Sequence, residues 1–174
     1  MRLVVSDDHE SIRQAVKVEL PGALWQRCVV HFERNVLAQV PQAEAREVAA
    51  DLKPVFQAAR RETAERLAAE FAERYRVSYP KAVATLERGL DEALTYTSFP
   101  SSHHRLIRTT NGLERVFAEV KRRTRVVGVF PNERSAENLS TVVLLRVSED
   151  WAFRRYLDAV PLHALFHEPT RFAT

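Results

Sequence analysis

Residues 3–41 read LVVSDDHESIRQAVKVELPGALWQRCVVHFERNVLAQVP, a pattern that predicts a strand, a helix, a second strand and a second helix. The apolar run 3–5 is typical of a short buried strand, and 23–30 is dense in strand-forming residues. Apolar residues at helical spacing separate the two runs until Pro21 ends the helix, and 31–40 predicts the second helix. This order within so short a span predicts a parallel strand pair joined by a crossover helix.

From residue 42 to about residue 96 the sequence becomes rich in Ala, Glu and Arg and predicts helices only. Three groups of apolar residues recur at helical spacing, which predicts three buried faces. They are Leu52, Val55 and Phe56; then Leu67, Phe71 and Tyr75; then Leu86, Leu90, Ala93 and Leu94. Pro54 and Pro80 are expected near helix starts, where a missing N–H costs least.

The last third of the chain predicts two more helices. One starts at Thr110 or Asn111 and runs through Arg123, and its expected buried stripe is Leu113, Val116, Phe117 and Val120. Residues 126–130 are expected to form an extended link, and Asn132 is expected to cap a long final helix. Trp151, Phe153, Tyr156 and Leu157 predict an aromatic-rich closing turn or helix, and the tail from residue 161 is expected to be loosely ordered.

Composition narrows the class of protein. The chain has 174 residues, of which 45% are hydrophobic and 28% charged, with only four glycines, which favours a mostly helical protein. Its one cysteine, Cys28, cannot form an internal disulfide, so we expect a reducing, cytoplasmic environment. No apolar run approaches the roughly 20 residues of a membrane helix, and the N-terminus does not resemble a signal peptide. We therefore expect neither secretion nor membrane insertion.

The positive charge is concentrated in one segment. Residues 101–130 contain seven basic side chains against Glu114 and Glu119, whereas the whole chain has a net charge of only +3. A basic cluster favours a polyanionic partner, because each phosphate that it contacts releases counterions. The alternative is a solvated basic face without a partner.

Asp7 is the first candidate site residue, because it comes just after the first predicted strand. A carboxylate at this end of a strand in an α/β sheet faces the crevice where ligands bind, and Mg²⁺ prefers carboxylate oxygens. The alternative is that Asp7 only caps the next helix, since Asp7 and Glu10 have the spacing of a capping box, and that Asp8 is a solvated neighbour.

Glu114 is the second candidate. Its alternative interpretation is also a capping box, formed with Asn111. On the predicted helix, however, Glu114 shares a flank with Ala118, Lys121 and Arg125. An acid at the helix start with cations further along suits a metal site beside a line of phosphates.

Cys28 and His31 are the third candidate, a Cys-x-x-His pair that resembles half of a zinc site. His103 and His104 are the residues available to complete it. The alternative is a buried cysteine beside a hydrogen-bonded histidine.

Several motifs occur in an order that resembles one known family. They are VVSD at 4–7, WQRCVVHFxxN at 25–35, TNGLER at 110–115, EVKRRT at 119–124, VGVFPN at 127–132 and Asp150-Trp151. Together they are similar to the C-terminal part of a bacterial Mutator-type insertion-sequence transposase, over nearly the whole chain to about residue 157. The resemblance implies an RNase H-like core with an Asp, Asp, Glu triad.

Under this resemblance the fold class is α/β and predominantly helical, an incomplete RNase H-like core interrupted by an all-α insertion. Residues 1–40 form part of the core, 41–98 the insertion, 99–160 the return with the basic helix, and 161–174 the tail. Asp7 is the second aspartate and Glu114 the glutamate, while Cys28 and His31 support the site. The first aspartate lies on an earlier strand that has no match here, so we expect this chain alone to be inactive.

The implied chemistry is DNA cleavage and strand transfer with Mg²⁺ or Mn²⁺ as the cofactor. Five cations on or beside the predicted helix are expected to hold the DNA backbone: Arg115, Lys121, Arg122, Arg123 and Arg125. The implied partners are transposon ends, target DNA and further copies of the full-length protein. Two alternatives are a non-catalytic DNA-binding or regulatory remnant and a small helical binding protein unrelated to DNA.

Overall fold

The structure, a computed structural model, describes residues 2–152 and 160–163. Helices dominate these residues, as predicted. In chain order the elements are β1 (Leu3–Ser6), α1 (Glu10–Glu19), β2 (Leu24–Arg27), α2 (Val29–Leu37), α3 (Ala45–Gln57), α4 (Arg61–Tyr75), α5 (Pro80–Ala93), α6 (His104–Ile107), α7 (Asn111–Val127) and α8 (Glu133–Ala152). Two 3₁₀ turns, Thr95–Ser98 and Ser101–His103, connect α5 to α6.

The strands β1 and β2 form the predicted parallel pair, with α1 as the crossover. Their register runs from Leu3 opposite Leu24 to Ser6 opposite Arg27. The second strand is shorter than the predicted 23–30, because the chain turns at Cys28 and residues 29 and 30 begin α2. Strand-forming Val29 and Val30 are therefore helical, with Val29 buried, so tertiary packing outweighs local propensity here.

The main core lies among α2, α3, α4, α5 and the first 3₁₀ turn. All three predicted apolar faces point into it, with Leu67 and Leu90 partly buried and the others buried. The Gln26 amide, fully buried, donates to the Ala93 carbonyl (2.8 Å) and accepts from the Tyr96 backbone N–H (2.6 Å). The sheet is thereby attached to the end of α5.

The two prolines behave differently. Pro80 is the first residue of α5, as predicted. The prediction for Pro54 was wrong, because Pro54 lies inside α3, where the next two residues, Val55 and Phe56, are both buried in the main core. Core packing around α3 outweighs the hydrogen bond that proline cannot donate.

Helix α7 extends to Val127, so the extended link predicted over 126–130 was wrong at its start; Gly128, with φ of +74°, ends the helix. The predicted buried stripe on α7 is confirmed at Val116, which is buried, and was wrong at Leu113 and Phe117, which are each 53% exposed. Helix α7 packs mainly against α8.

Asn132 caps α8 as predicted, since its side-chain oxygen accepts the Ser135 backbone N–H at 2.9 Å. The predicted closing turn through Phe153, Tyr156 and Leu157, and most of the predicted tail, lie outside the described residues. Within residues 2–152 and 160–163, no helix combines the length and apolar character needed to cross a bilayer.

Candidate functional site

Asp7 lies just beyond the end of β1, and its carboxylate is exposed. The backbone on either side is fixed, because the Ser6 carbonyl accepts the Cys28 N–H at 2.7 Å and the Ser6 hydroxyl donates to the Asp7 carbonyl at 2.8 Å. The Trp25 indole donates to that same hydroxyl at 2.8 Å. The Asp7 side chain makes no hydrogen bond or ion pair with the described residues, so its oxygens are available to a ligand.

The capping interpretation of Asp7 was wrong. Helix α1 starts at Glu10 with His9 as its N-cap, and no side chain there accepts a backbone N–H. Asp8, expected to be solvated only, instead pairs with Arg13 (3.0 Å) and Arg27 (2.9 Å). The acid that forms ion pairs at this turn is therefore Asp8.

Cys28 is fully buried at the junction of β2 and α2. Its sulfur accepts the Thr110 backbone N–H at 3.4 Å and lies 3.3 Å from the Thr110 hydroxyl. In addition, the Val29 N–H donates to the Arg108 carbonyl at 2.9 Å. The Cys28 turn therefore holds the segment that leads into α7.

Glu114 contacts His31 directly and is linked to Cys28 through Thr110. His31 Nε2 lies 3.4 Å from Glu114 Oε1, and the Thr110 hydroxyl lies 3.2 Å from the same oxygen. The Thr110 hydroxyl is the donor toward both the Cys28 sulfur and the Glu114 carboxylate, and its single proton is shared between these two acceptors. Thr110 thus connects the buried sulfur to the carboxylate.

The capping box expected at Asn111 and Glu114 was also wrong. Thr110 is the N-cap of α7, Asn111 is the first helical residue, and the cap makes no side-chain hydrogen bond. Glu114 therefore lies one position beyond the place where a capping carboxylate acts. Its oxygens face His31 and Thr110 instead.

The zinc interpretation of Cys28 and His31 finds no support in the described residues. His104 is buried, its Nε2 lies 2.8 Å from the Phe99 carbonyl, its ring contacts Tyr96 edge-on, and burial lowers its pKa. No group of three His, Cys, Asp or Glu side chains in the described part of the chain is placed to hold an ion. Cys28 and His31 instead contact Thr110 and Glu114 at the start of α7.

The five predicted DNA-binding cations fall into two sets. Arg122 and Arg123 both donate to Glu119, at 2.7–2.9 Å, and these bonds lower the pKa of Glu119 to about 2. Arg115, Lys121 and Arg125 are exposed and make no ion pair with any described residue. The positive charge available to a ligand on α7 is therefore concentrated in these three.

Sequence reasoning missed Thr110 as a contact of both Cys28 and Glu114. The residue stands in the TNGLER motif, but its role depends on the approach of β2 and α7 across 82 positions. No local pattern reports such a contact.

Comparison with known proteins gives one consistent result. The family model described as "Transposase, Mutator family" matches residues 1–153. The chain is 38% identical over 150 residues to the transposase for insertion sequence element IS406 of Burkholderia multivorans, covering 86% of this chain and 39% of that protein. It is 34% identical over 151 residues to the transposase for ISRM5 of Rhizobium meliloti, covering 87% and 38%.

A third relative is the transposase for IS256 in transposon Tn4001 of Staphylococcus aureus, 33% identical over 162 residues, covering 90% of this chain and 41% of that protein. The chain thus spans about two fifths of the length of the curated relatives that it matches.

Proposed function

The chain belongs to the Mutator family of transposases, and on that basis we propose that it contributes two catalytic carboxylates and a basic helix to a centre that cleaves and joins DNA strands. Asp7 and Glu114 are the two carboxylates. Arg115, Lys121 and Arg125 are the principal contacts to the DNA backbone, with Arg122 and Arg123 released from Glu119 when phosphates compete. A helical protein unrelated to transposition has no support beside this family membership.

The observation that carries the proposal is the set of contacts made by Cys28. Its backbone N–H bonds to the carbonyl of Ser6, the residue before Asp7. Its sulfur contacts Thr110, whose hydroxyl bonds to Glu114. Asp7 and Glu114, with 106 residues between them in the sequence, are therefore both linked to buried Cys28. Asp7 is linked through the neighbouring Ser6, and Glu114 through Thr110.

The cofactor in this proposal is Mg²⁺ or Mn²⁺. Carboxylate oxygens suit these hard cations, and both Asp7 and Glu114 have oxygens open to solvent. The described residues hold no group of three ligands, so the two acids need a further carboxylate, which the resemblance assigns to an earlier strand. Bound metal ions of this class activate the attacking hydroxyl and stabilise the leaving oxygen.

The remaining parts of the proposal follow from the family. Residues 1–40 and 99–160 belong to an RNase H-like core, and 41–98 form its helical insertion. The partners are transposon ends, target DNA and further copies of the full-length protein, in the cytoplasm. This chain alone binds divalent metal weakly and does not cut DNA, because it supplies two of the three carboxylates.

The test measures Mn²⁺ binding by the purified chain, using calorimetry or paramagnetic relaxation. Weak binding that is lost in both Asp7→Asn and Glu114→Gln is expected, while the control Glu62→Gln, an exposed acid on α4, binds as the wild type does. Equal binding by all four proteins would refute the shared site. DNA binding without any metal site would favour the non-catalytic remnant instead.

Cleavage is measured separately on a terminal-repeat oligonucleotide. Nicking by the wild-type chain that disappears in Asp7→Asn and Glu114→Gln would contradict the expected inactivity while supporting the two assigned acids.

A further inference from the structure

The motif VGVFPN at 127–132 forms the end of α7 and the loop that leads to α8. Together with the preceding residue it exposes three valines within four positions, 79% at Val126, 48% at Val127 and 86% at Val129. A single exposed valine is ordinary, whereas a cluster of exposed apolar side chains is typical of an interaction site. We call residues 126–129 the hairpin tip.

The hairpin tip lies away from the main core. Helices α7 and α8 pack mainly against each other. The last buried side chain of α7 is Val116, and none of residues 117–149 is buried. The far end of this helical hairpin is therefore open to a large partner.

The backbone of the tip is held in one conformation. The Gly128 N–H donates to the Thr124 carbonyl at 3.3 Å, and the Val129 N–H donates to the Val127 carbonyl at 3.0 Å. Gly128 has a φ of +74°, which side-chain-bearing residues rarely adopt, and Asn132 caps α8 directly afterwards. The valines stand on an ordered turn, so a contact made by them costs little conformational entropy.

The charge next to the tip is positive. Residues 120–132 contain four basic side chains and no acid. Lys121 and Arg125 form no ion pair with any described residue, while Arg122 and Arg123 share Glu119. An apolar end that follows a basic helix suits a polyanion, because the cations bind its phosphates.

A second copy of this chain fits the tip less well. In a two-fold dimer the same patch meets itself, which would bring the cations of one tip against those of the other. Three valines also offer only a few hundred Å² of surface, less than the ~800 Å² per partner that a stable interface buries. The tip therefore needs a partner that supplies the opposite charge.

We propose that the hairpin tip is an apolar wedge that enters the minor groove of DNA and opens one base step, while Lys121 and Arg125 bind the neighbouring phosphates. Proteins that distort DNA insert apolar side chains between base steps in this way, and their additional contacts offset the cost of unstacking.

The inference rests on the proposed function, because it takes DNA as the partner, and it adds where the DNA is distorted. Glu114 and Val127 are 13 residues apart on α7, which corresponds to about 20 Å along the helix. At ~3.4 Å per base pair, the opened step lies within about six base pairs of the phosphate at Glu114.

The experiment measures the affinity of the full chain, by fluorescence anisotropy, for two duplexes of about 20 base pairs, a length above the six-pair span derived from the helix rise. One duplex is fully paired, and the other has two adjacent mismatched pairs at its centre. The tip variant is Val126→Ser with Val129→Ser, and the conservative variant replaces both residues by Leu. The matched control is Val18→Ser with Val77→Ser, two exposed valines outside the hairpin.

The wild-type chain is expected to bind the mismatched duplex about tenfold more tightly, because the mismatch removes part of the cost of unstacking. The serine variant loses this preference, whereas the leucine variant and the matched control keep it. All four proteins bind the paired duplex within about threefold of one another, because the phosphate contacts of the basic side chains are unchanged.

The distance is measured with an iron chelate attached to Glu114→Cys. Cys28, the one native cysteine, is buried and is not labelled. Hydroxyl-radical cuts are expected within about six base pairs of the mismatch, the span set by the helix rise. Cuts centred further away would overturn the placement of the tip in the opened step.

Equal affinity of the wild-type chain for the two duplexes, or a preference that persists in the serine variant, would overturn the inference and leave the proposed function intact. Self-association of the wild-type chain that the serine variant abolishes in sedimentation would assign the tip to a second copy and overturn the inference as well. Failure of the wild-type chain to bind either duplex would overturn both the inference and the proposed function.

Discussion

Two helical glycines are expected to respond in opposite directions to the same substitution. A Cβ on Gly89 in α5 would lie 2.6 Å from Arg27 Nη1 and 2.6 Å from Phe32 Cε2. A Cβ on Gly112 in the first turn of α7 would meet nothing within 4 Å. We therefore predict that Gly89→Ala destabilises the protein and that Gly112→Ala stabilises it.

The magnitude at Gly89 follows from how firmly its neighbours are held. Phe32 is fully buried, and the Arg27 guanidinium lies 4.5 Å from its ring centroid and pairs with Asp8 at 2.9 Å. Neither group can move without losing these contacts, so the overpacking cost falls near the upper end of the ~1–3 kcal/mol range. Alanine regains about 1 kcal/mol of helix propensity, which leaves a net loss of about 2 kcal/mol.

At Gly112 only the propensity changes, so Gly112→Ala should gain up to about 1 kcal/mol. The assay is urea unfolding followed by circular dichroism, with thermal melts as a second measure. For a chain of this size 1 kcal/mol corresponds to roughly 2–4 °C in Tm, so the two variants should melt several degrees apart.

The reasoning also predicts a rescue. Adding Phe32→Leu to Gly89→Ala removes the ring atoms that the new methyl group meets. The loss of unfolding free energy in the double variant should therefore be smaller than the sum of the losses in the two single variants. If Gly89→Ala is as stable as the wild type, α5 does not approach β2 and α2 as closely as described.

Three further outcomes test other contacts. Thr110→Val should lower stability by about 1 kcal/mol in urea unfolding, and by less when Cys28 is already alanine, because both changes remove one contact. Glu33→Gln should raise stability above the raised pKa of Glu33, where the buried carboxylate is charged, and the difference should vanish below pH 4.5 in unfolding curves across pH. Hydrogen bonds from Tyr75, which has the larger effect, and from Arg74 lower the pKa of Asp51 below 3.8. Asp51→Asn should therefore destabilise the protein above pH 3.8, and this loss of stability should fade as the pH drops through the lowered pKa. Equal effects at pH 2 and pH 7 would contradict either pH prediction.

Elements whose signal is local could be predicted from the sequence. The β1–α1–β2 crossover, the Asn132 cap and the three apolar faces of α3 to α5 all depend on residues a few positions apart. The two capping boxes show the limit of such patterns, because the spacing was right at Asp7 and at Asn111 but the N-caps are His9 and Thr110. A shift of one or two residues in the N-cap position changes which side chain can cap the helix.

The chain order of the motifs predicted Asp7 and Glu114 as the candidate acids, and the family that those motifs resemble is the one whose model matches residues 1–153. Only the tertiary structure decided how those acids are held, because Thr110 contacts Cys28 across 82 residues and no periodicity records that distance. The exposure of Leu113 and Phe117 was decided in the same way. The apolar stripe of a helix shows which side chains could be buried, but the elements that pack against the helix determine which of them are buried.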